Sequence, residues 1–258
     1  MLRLTTLTSV LALMATGLAA EEIKVGVSPG EHAEIMEEVA KVAKPMGLDI
    51  DVVEFSDYVV PNQALADGDI EANSFQHVPY LDNQMKDRGF ELVVVGNTIT
   101  TPMGLYSDKI TDPATLEEGA TIGIPNDPTN GGRALLVLQQ LGLITLDLEA
   151  GLKPTILDVT GNPKDLKFKE LDAAQLPRSL ADLDAAMINT NYAIASGLNP
   201  KTDSIAMESA DNPYVNVIVV RKGDEDQPWV ETLVEAYHSD EVKKFIEDSY
   251  HGTVLTSW

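Results

Sequence analysis

The chain has 258 residues, no cysteine and a formal charge of −23, from 41 acidic against 18 basic side chains. The lack of cysteine excludes disulfides, thiolate metal sites, a cysteine nucleophile and a lipid anchor carried on cysteine. So acidic a surface is a poor partner for nucleic acid or anionic membranes, because phosphate binding depends on clustered Lys and Arg. The length suits one large domain or two smaller ones.

Residues 1–20 read as a secretory signal peptide: basic Arg3, an apolar run from Leu7 to Leu18, and small Ala19-Ala20 before Glu21-Glu22. The apolar run is short of the roughly 20 residues needed to span a bilayer. The expectation is a mature protein cleaved after Ala20, soluble in the periplasm and free of a lipid anchor. Strand and helix then alternate. Strands are expected at 23–27, 48–55, 70–75 and 92–95, with helices at 31–44, between Ser56 or Asp57 and Gly68, and from Pro79. That alternation implies a parallel sheet with helices on both faces. After an extended polar piece at 98–102 the pattern restarts, with strands at 103–106, 120–125, 156–159 and 167–171, a helix at 130–141, and a segment 180–188 ending in a strand. An apolar strand at 214–220 and one long helix at 229–250 are too little for a third domain. They are expected to pack back on the first unit. The layout is α/β in two lobes, 21–101 with 214–258 and 102–213, joined by crossings near 98–102 and 206–214, with a cleft between them.

Four stretches concentrate the chemistry. Residues 55–81, FSDYVVPNQALADGDIEANSFQHVPYL, hold four of the 14 aromatic residues (Phe55, Tyr58, Phe75, Tyr80), with His77 and the uncharged Asn62, Gln63, Asn73 and Gln76 between them. Aromatic walls with a few convergent polar groups suit a small-molecule pocket. In PNDPTNGGRAL (125–135), Gly131-Gly132 at a helix start offers backbone amides to an anion, and Arg133 can grip a carboxylate. The alternative is that Asn130 caps the helix and Arg133 is a solvated surface residue. Asn189, in INTNY, and Asn216, inside the strand Val215–Val220, are buried amides that need partners, from a ligand or from the backbone. No histidine or carboxylate spacing suggests a metal site, and no cofactor motif is present. His77 has no nucleophile turn to serve, so an exported α/β hydrolytic enzyme is the remote reading.

These stretches, with PNDPTNGGRALLVLQQLGLI, INTNYA and NPYVNVIVVR, resemble the NlpA family of methionine-binding proteins, of the MetQ type, over nearly the whole mature chain. The resemblance implies a two-lobed periplasmic-binding-protein fold (type II) with two mixed-sheet α/β lobes, without enzymatic activity or cofactor. Such a protein closes over methionine and delivers it, as a monomer, to an ABC-type permease–ATPase importer. It further implies that Tyr58, Phe75, His77 and Tyr80 hold the side chain, that Arg133 clamps the carboxylate, and that Asn189 and Asn216 hold the amino-acid backbone. Asn62, Asn130 and Asn191 stand behind them. Many members carry a lipid-modified cysteine after the signal, and this chain has none. Another apolar amino acid, D-methionine or a short methionine-containing peptide remain alternatives, since one methylene is worth only about 1–3 kcal/mol in discrimination.

Overall fold

The computed structural model of the protein describes residues 20–258; the leader read at 1–20 lies, except for Ala20, outside the described residues. The chain begins β1 (Glu21–Val27), α1 (Glu31–Ala43), β2 (Leu48–Glu54), α2 (Val60–Asp67), β3 (Ala72–His77), α3 (Val78–Arg88) and β4 (Leu92–Thr100). It continues β5 (Gly104–Tyr106), β6 (Thr121–Pro125), α4 (Pro128–Gln140), β7 (Thr145–Leu146), β8 (Val159–Gly161), β9 (Lys167–Leu171), α5 (Leu176–Ser179) and β10 (Ala185–Ile188). Then come α6 (Thr190–Ala195), α7 (Pro200–Asp203), β11 (Ser204–Met207), β12 (Val215–Arg221), α8 (Pro228–Tyr237), α9 (Asp240–Tyr250) and β13 (Leu255–Thr256).

The strands form two main sheets. One has the order β13-β4-β12-β3-β1-β2 and the other β11-β5-β10-β6-β9; β7 and β8 make a separate hairpin. In the first sheet β2, β1 and β3 run parallel, Ile23 opposite Ile50 and Val25 opposite Ala72. The returning strand β12 inserts antiparallel between β3 and β4, with Asn216 opposite His77 and Val219 opposite Val94. The second sheet repeats the plan, with β6 parallel to β9 and β10 but β5 antiparallel to β10. Both sheets are mixed, as the resemblance implies: β12 returns antiparallel into the first sheet, and β5 runs antiparallel in the second. The chain passes between the sheets at 101–103 and again at 208–214.

Period-2 alternation explains how each sheet is covered on both faces. On β12, Ile218 and Val220 pack with Val39, Leu233 and Ile246 of α1, α8 and α9, while Val217 and Val219 pack with Leu65 and Leu81 on the opposite face. On β10, Ala185 and Met187 face α4, while Ala186 and Ile188 face Leu176, Leu180 and Tyr192. Two expected elements differ. The strand expected at 156–159 is a 3-10 turn at Ile156–Asp158, capped by Thr155, and only then the short β8. The single helix expected at 229–250 is two, because the Ser239 hydroxyl accepts from the Val242 N–H and starts α9 afresh.

Candidate functional site

A pocket enclosing about 320 Å³ free of protein atoms lies between the two sheets. All seven residues singled out in the sequence line it: Tyr58, Phe75, His77 and Tyr80 from one lobe, Arg133 and Asn189 from the other, and Asn216 from the returning strand.

The aromatic wall is assembled by β3, α3 and the loop before α2. Tyr58, Phe75 and Tyr80 form a mutual triangle with ring centroids 6.0–6.1 Å apart, and the Tyr80 hydroxyl donates to the Tyr58 carbonyl at 2.8 Å. Behind the wall the amides satisfy one another. Asn62 and Gln76 exchange bonds of 2.8 and 2.7 Å, and the Asn73 amide donates to Asn62 Oδ1 at 3.0 Å. Asn62 and Asn73 are therefore scaffold, and Gln63 is exposed, bonded to Asp67. His77 ends β3 as the N-cap of α3, its Nδ1 accepting from the Tyr80 N–H at 3.1 Å. Nδ1 being the acceptor, Nε2 carries the proton and donates to Asn130 Oδ1 at 3.3 Å, across the cleft. Burial, then the Arg133 charge, pushes the His77 pKa down to about 3, so its ring is neutral.

The opposite wall begins at α4. Asp127, not Asn130, is its cap, accepting from the Thr129 and Asn130 N–H groups at 3.2 and 2.9 Å. These amides are already satisfied, so the expected anion seat at Gly131-Gly132 is absent. The two glycines serve packing instead. A Cβ on Gly131 would meet the Pro125 carbonyl oxygen at 2.7 Å, and one on Gly132 would meet Lys153 Cα at 2.8 Å. Asn130 Nδ2 donates to both Asp127 oxygens, at 3.2 and 3.0 Å, and its Oδ1 turns toward His77 and toward Asn189 Nδ2, at 2.9 Å.

Arg133 is 2% exposed, which removes the surface reading. Its Nε donates to both Glu208 oxygens at 3.1 Å, and its Nη2 to Glu208 Oε2 at 2.5 Å and to the Thr101 carbonyl at 2.8 Å. Tyr214 lies 4.3 Å beneath the guanidinium and packs its ring against His77 at 5.0 Å. Nη1 makes no hydrogen bond to protein among the described residues, and Arg133 borders the pocket. Asn189 occupies the N-cap of α6 yet makes no capping bond. Its Oδ1 is buried without a partner, as is the Nδ2 of Asn191. Asn216 donates to the Ile99 carbonyl at 3.2 Å, so part of its need is met by backbone.

The walls also touch directly. The Tyr58 hydroxyl donates to Asn191 Oδ1 at 2.5 Å, the Tyr192 hydroxyl to the Ser56 carbonyl at 3.3 Å, and Lys153 Nζ to Asn83 Oδ1 at 3.0 Å. Gly30, with φ +85°, sits so close to Asn191 that a Cβ there would lie 2.4 Å from its carbonyl oxygen. Sequence reasoning missed Glu208, Tyr214 and His32. Glu208 is one acid among 41, and nothing local distinguishes it. Tyr214 could have been found as the aromatic beside Asn216 in NPYVNV.

Among the described residues, no helix is long and apolar enough to cross a membrane and no metal-binding cluster occurs. The D-methionine-binding lipoprotein MetQ of Escherichia coli K12 is 51% identical over 239 residues, covering 92% of this chain and 88% of that protein. A nutrient-binding protein from Burkholderia cenocepacia, solved bound to methionine, is 52% identical over 92% of this chain and all of its own, with a TM-score of 0.89. A crystal structure of the methionine-binding protein MetQ is 50% identical, covers 92% of this chain and 98% of its own, and superposes with a TM-score of 0.90. The model of the NlpA lipoprotein family matches residues 23–258. The two-lobed α/β fold is that of these binding proteins, and the chain belongs to the NlpA lipoprotein family.

Proposed function

We propose that this protein captures free methionine between its lobes, 21–101 with 214–258 on one side and 102–213 on the other, and delivers it to an ABC-type permease–ATPase importer. The observation that carries this is a pair of buried polar atoms without partners, Asn189 Oδ1 and Asn191 Nδ2. They belong to the same pocket as Arg133 and the aromatic triangle. An ammonium needs a neutral acceptor, which Asn189 Oδ1 supplies; a carboxylate needs donors, which Arg133 Nη1 supplies with Asn191 Nδ2 beside it. Asn216 completes the head contacts. The thioether lies among Tyr58, Phe75 and Tyr80, where a sulfur–aromatic contact contributes up to about 1.5 kcal/mol, with the His77 ring closing that end. The relatives are named as binding proteins, one of them as bound to methionine, and none of these names is an enzyme's. Export to the periplasm follows from the leader-like residues 1–20 and the relatives' description as lipoproteins. Function as a monomer is part of the same proposal.

The name of one relative, a D-methionine-binding lipoprotein, favours a second reading in which this chain takes that enantiomer. Refolded, ligand-stripped protein titrated calorimetrically with L- and then D-methionine separates the two. Heat and a thermal shift with either enantiomer are expected, and silence from both at millimolar concentration would sink the methionine assignment. Asn189→Ala removes the ammonium acceptor and is expected to weaken binding by about 1.5–3 kcal/mol, the range for a hydrogen bond to a charged group.

A further inference from the structure

We propose that Glu208 is the positioning and specificity-determining residue of this pocket: it fixes the Arg133 guanidinium against both inter-lobe crossings and cancels its charge, so the site selects a net-neutral zwitterion over an anion of the same shape. The inference rests on the reading of the pocket as an amino-acid site and adds a residue that touches no ligand.

The geometry is specific. The Glu208 side chain is 3% exposed and that of Arg133 2%. Glu208 belongs to the second crossing, at 208–214, and Met103 and Thr101 to the first, at 101–103. Main chain and side chain both lace the two crossings: the Glu208 N–H donates to the Met103 carbonyl at 2.9 Å, and the Met103 N–H donates to Glu208 Oε2 at 3.0 Å. The same carboxylate takes Nε and Nη2 of Arg133, while the Thr101 carbonyl takes Nη2 again. With that edge occupied and Tyr214 against one face, Nη1 is the remaining donor group of the guanidinium. A planar fork held on three sides cannot swivel, so the direction from which a carboxylate is received is set by Glu208.

The charge balance follows from the lining. Besides Arg133, the titratable side chains bordering the pocket are His32 and His77 together with Tyr58 and Tyr80. Burial drives both histidines toward neutrality and raises both tyrosines. The Arg133–Glu208 pair therefore adds no net charge to the site, and the next carboxylate facing it is Asp127, bonded to Asn130. In a water-poor pocket a charge that is not matched is costly. A zwitterion arrives matched; a carboxylate without an ammonium arrives with a net charge and also leaves Asn189 Oδ1 unfilled.

The test compares methionine with its des-amino analogue, 4-(methylsulfanyl)butanoate, on wild type, Glu208→Gln and Glu208→Asp by calorimetry. Wild type is expected to prefer methionine at least a hundredfold. Glu208→Gln, which keeps shape and an acceptor but makes the Arg133 site cationic, is expected to shrink that preference at least tenfold. Glu208→Asp keeps the charge and is expected to hold the preference within threefold while weakening both ligands through the shortened reach. Equal weakening of both ligands by Glu208→Gln would reduce Glu208 to a structural residue and overturn the assignment. Should Glu208→Gln not fold, comparable binding of both ligands to wild type, or a changed preference in Glu208→Asp, overturns it equally. A wild type that binds the analogue but not methionine, or neither, removes the amino-acid reading itself and the Glu208 assignment with it.

Discussion

On the first-lobe side of the pocket most polar groups are bonded: Asn62, Asn73 and Gln76 bond one another, the Tyr80 hydroxyl bonds the Tyr58 carbonyl, and Tyr58 and His77 reach across to Asn191 and Asn130, leaving His32 Nδ1 without a partner. On the second-lobe side they are left open. Asn189 Oδ1 and Asn191 Nδ2 have no partner, and Arg133 is tied down on every edge but one. The first wall, His32 Nδ1 apart, has its bonds made and offers mainly shape and apolar surface. The second is unfinished, and a buried open valence is a demand for a specific partner, since each costs about 1–3 kcal/mol while unmet. The two buried glutamates reverse the contrast. Glu208 is fully engaged by Arg133 and Met103, whereas Glu31, at the start of α1 and 0% exposed, has neither oxygen bonded.

The sharpest way to break this picture is Arg133→Ala. It empties the unfinished wall and strands Glu208 as a buried charge, at a cost of about 3–5 kcal/mol in stability. Chemical denaturation should show that loss, and calorimetry should show no methionine binding. Unchanged affinity would mean that the ligand head is not held on this wall.

Glu31→Gln tests the glutamate contrast through pH. Burial is the main cause that raises the Glu31 pKa to about 8 from 4.5. A raised carboxyl pKa means the folded state holds its proton longer than the unfolded one. The contribution is thus intact below pH 4.5 and is lost as pH climbs to about 8. The glutamine variant should match wild type near pH 4.5 and exceed it at pH 8 and above, by on the order of a few kcal/mol. His32 and His77 act at the other end. Burial is the main cause lowering them to about 4 and about 3 from 6.5, so stability is full above pH 6.5 and falls as pH drops below it. Parallel pH–stability curves for wild type and Glu31→Gln would show that Glu31 has a partner after all.

Tyr58→Phe has the smallest expected effect and probes where the walls meet. It deletes the 2.5 Å bond to Asn191 Oδ1 across the cleft and leaves the ring in the triangle. A neutral hydrogen bond contributes about 0.5–1.5 kcal/mol, so methionine should leave up to about tenfold faster in a surface-capture dissociation assay. An unchanged off-rate would confine the lobe–lobe contacts to a packing role.

Most of the local elements, and the stretches that border the pocket, could be read from residue spacing and composition. The 3.6-residue stripe of α1 (Ile35, Met36, Val39, Ala43) and the period-2 alternation of β12 are written in nearest-neighbour spacing and needed no tertiary information. The seven residues taken from four separate stretches all border one pocket. The tertiary structure alone decided the rest. Which strands run antiparallel depended on β12 returning into the first sheet, a long-range event invisible in local pattern. Whether Asn62 meets a ligand or Gln76, whether Gly131-Gly132 seats an anion or a neighbouring loop, and which of 41 acids holds Arg133 depended on what the fold brought opposite each group. A hydrogen bond is set by a partner's position in space, and the chain separates Arg133 from Glu208 by 75 residues.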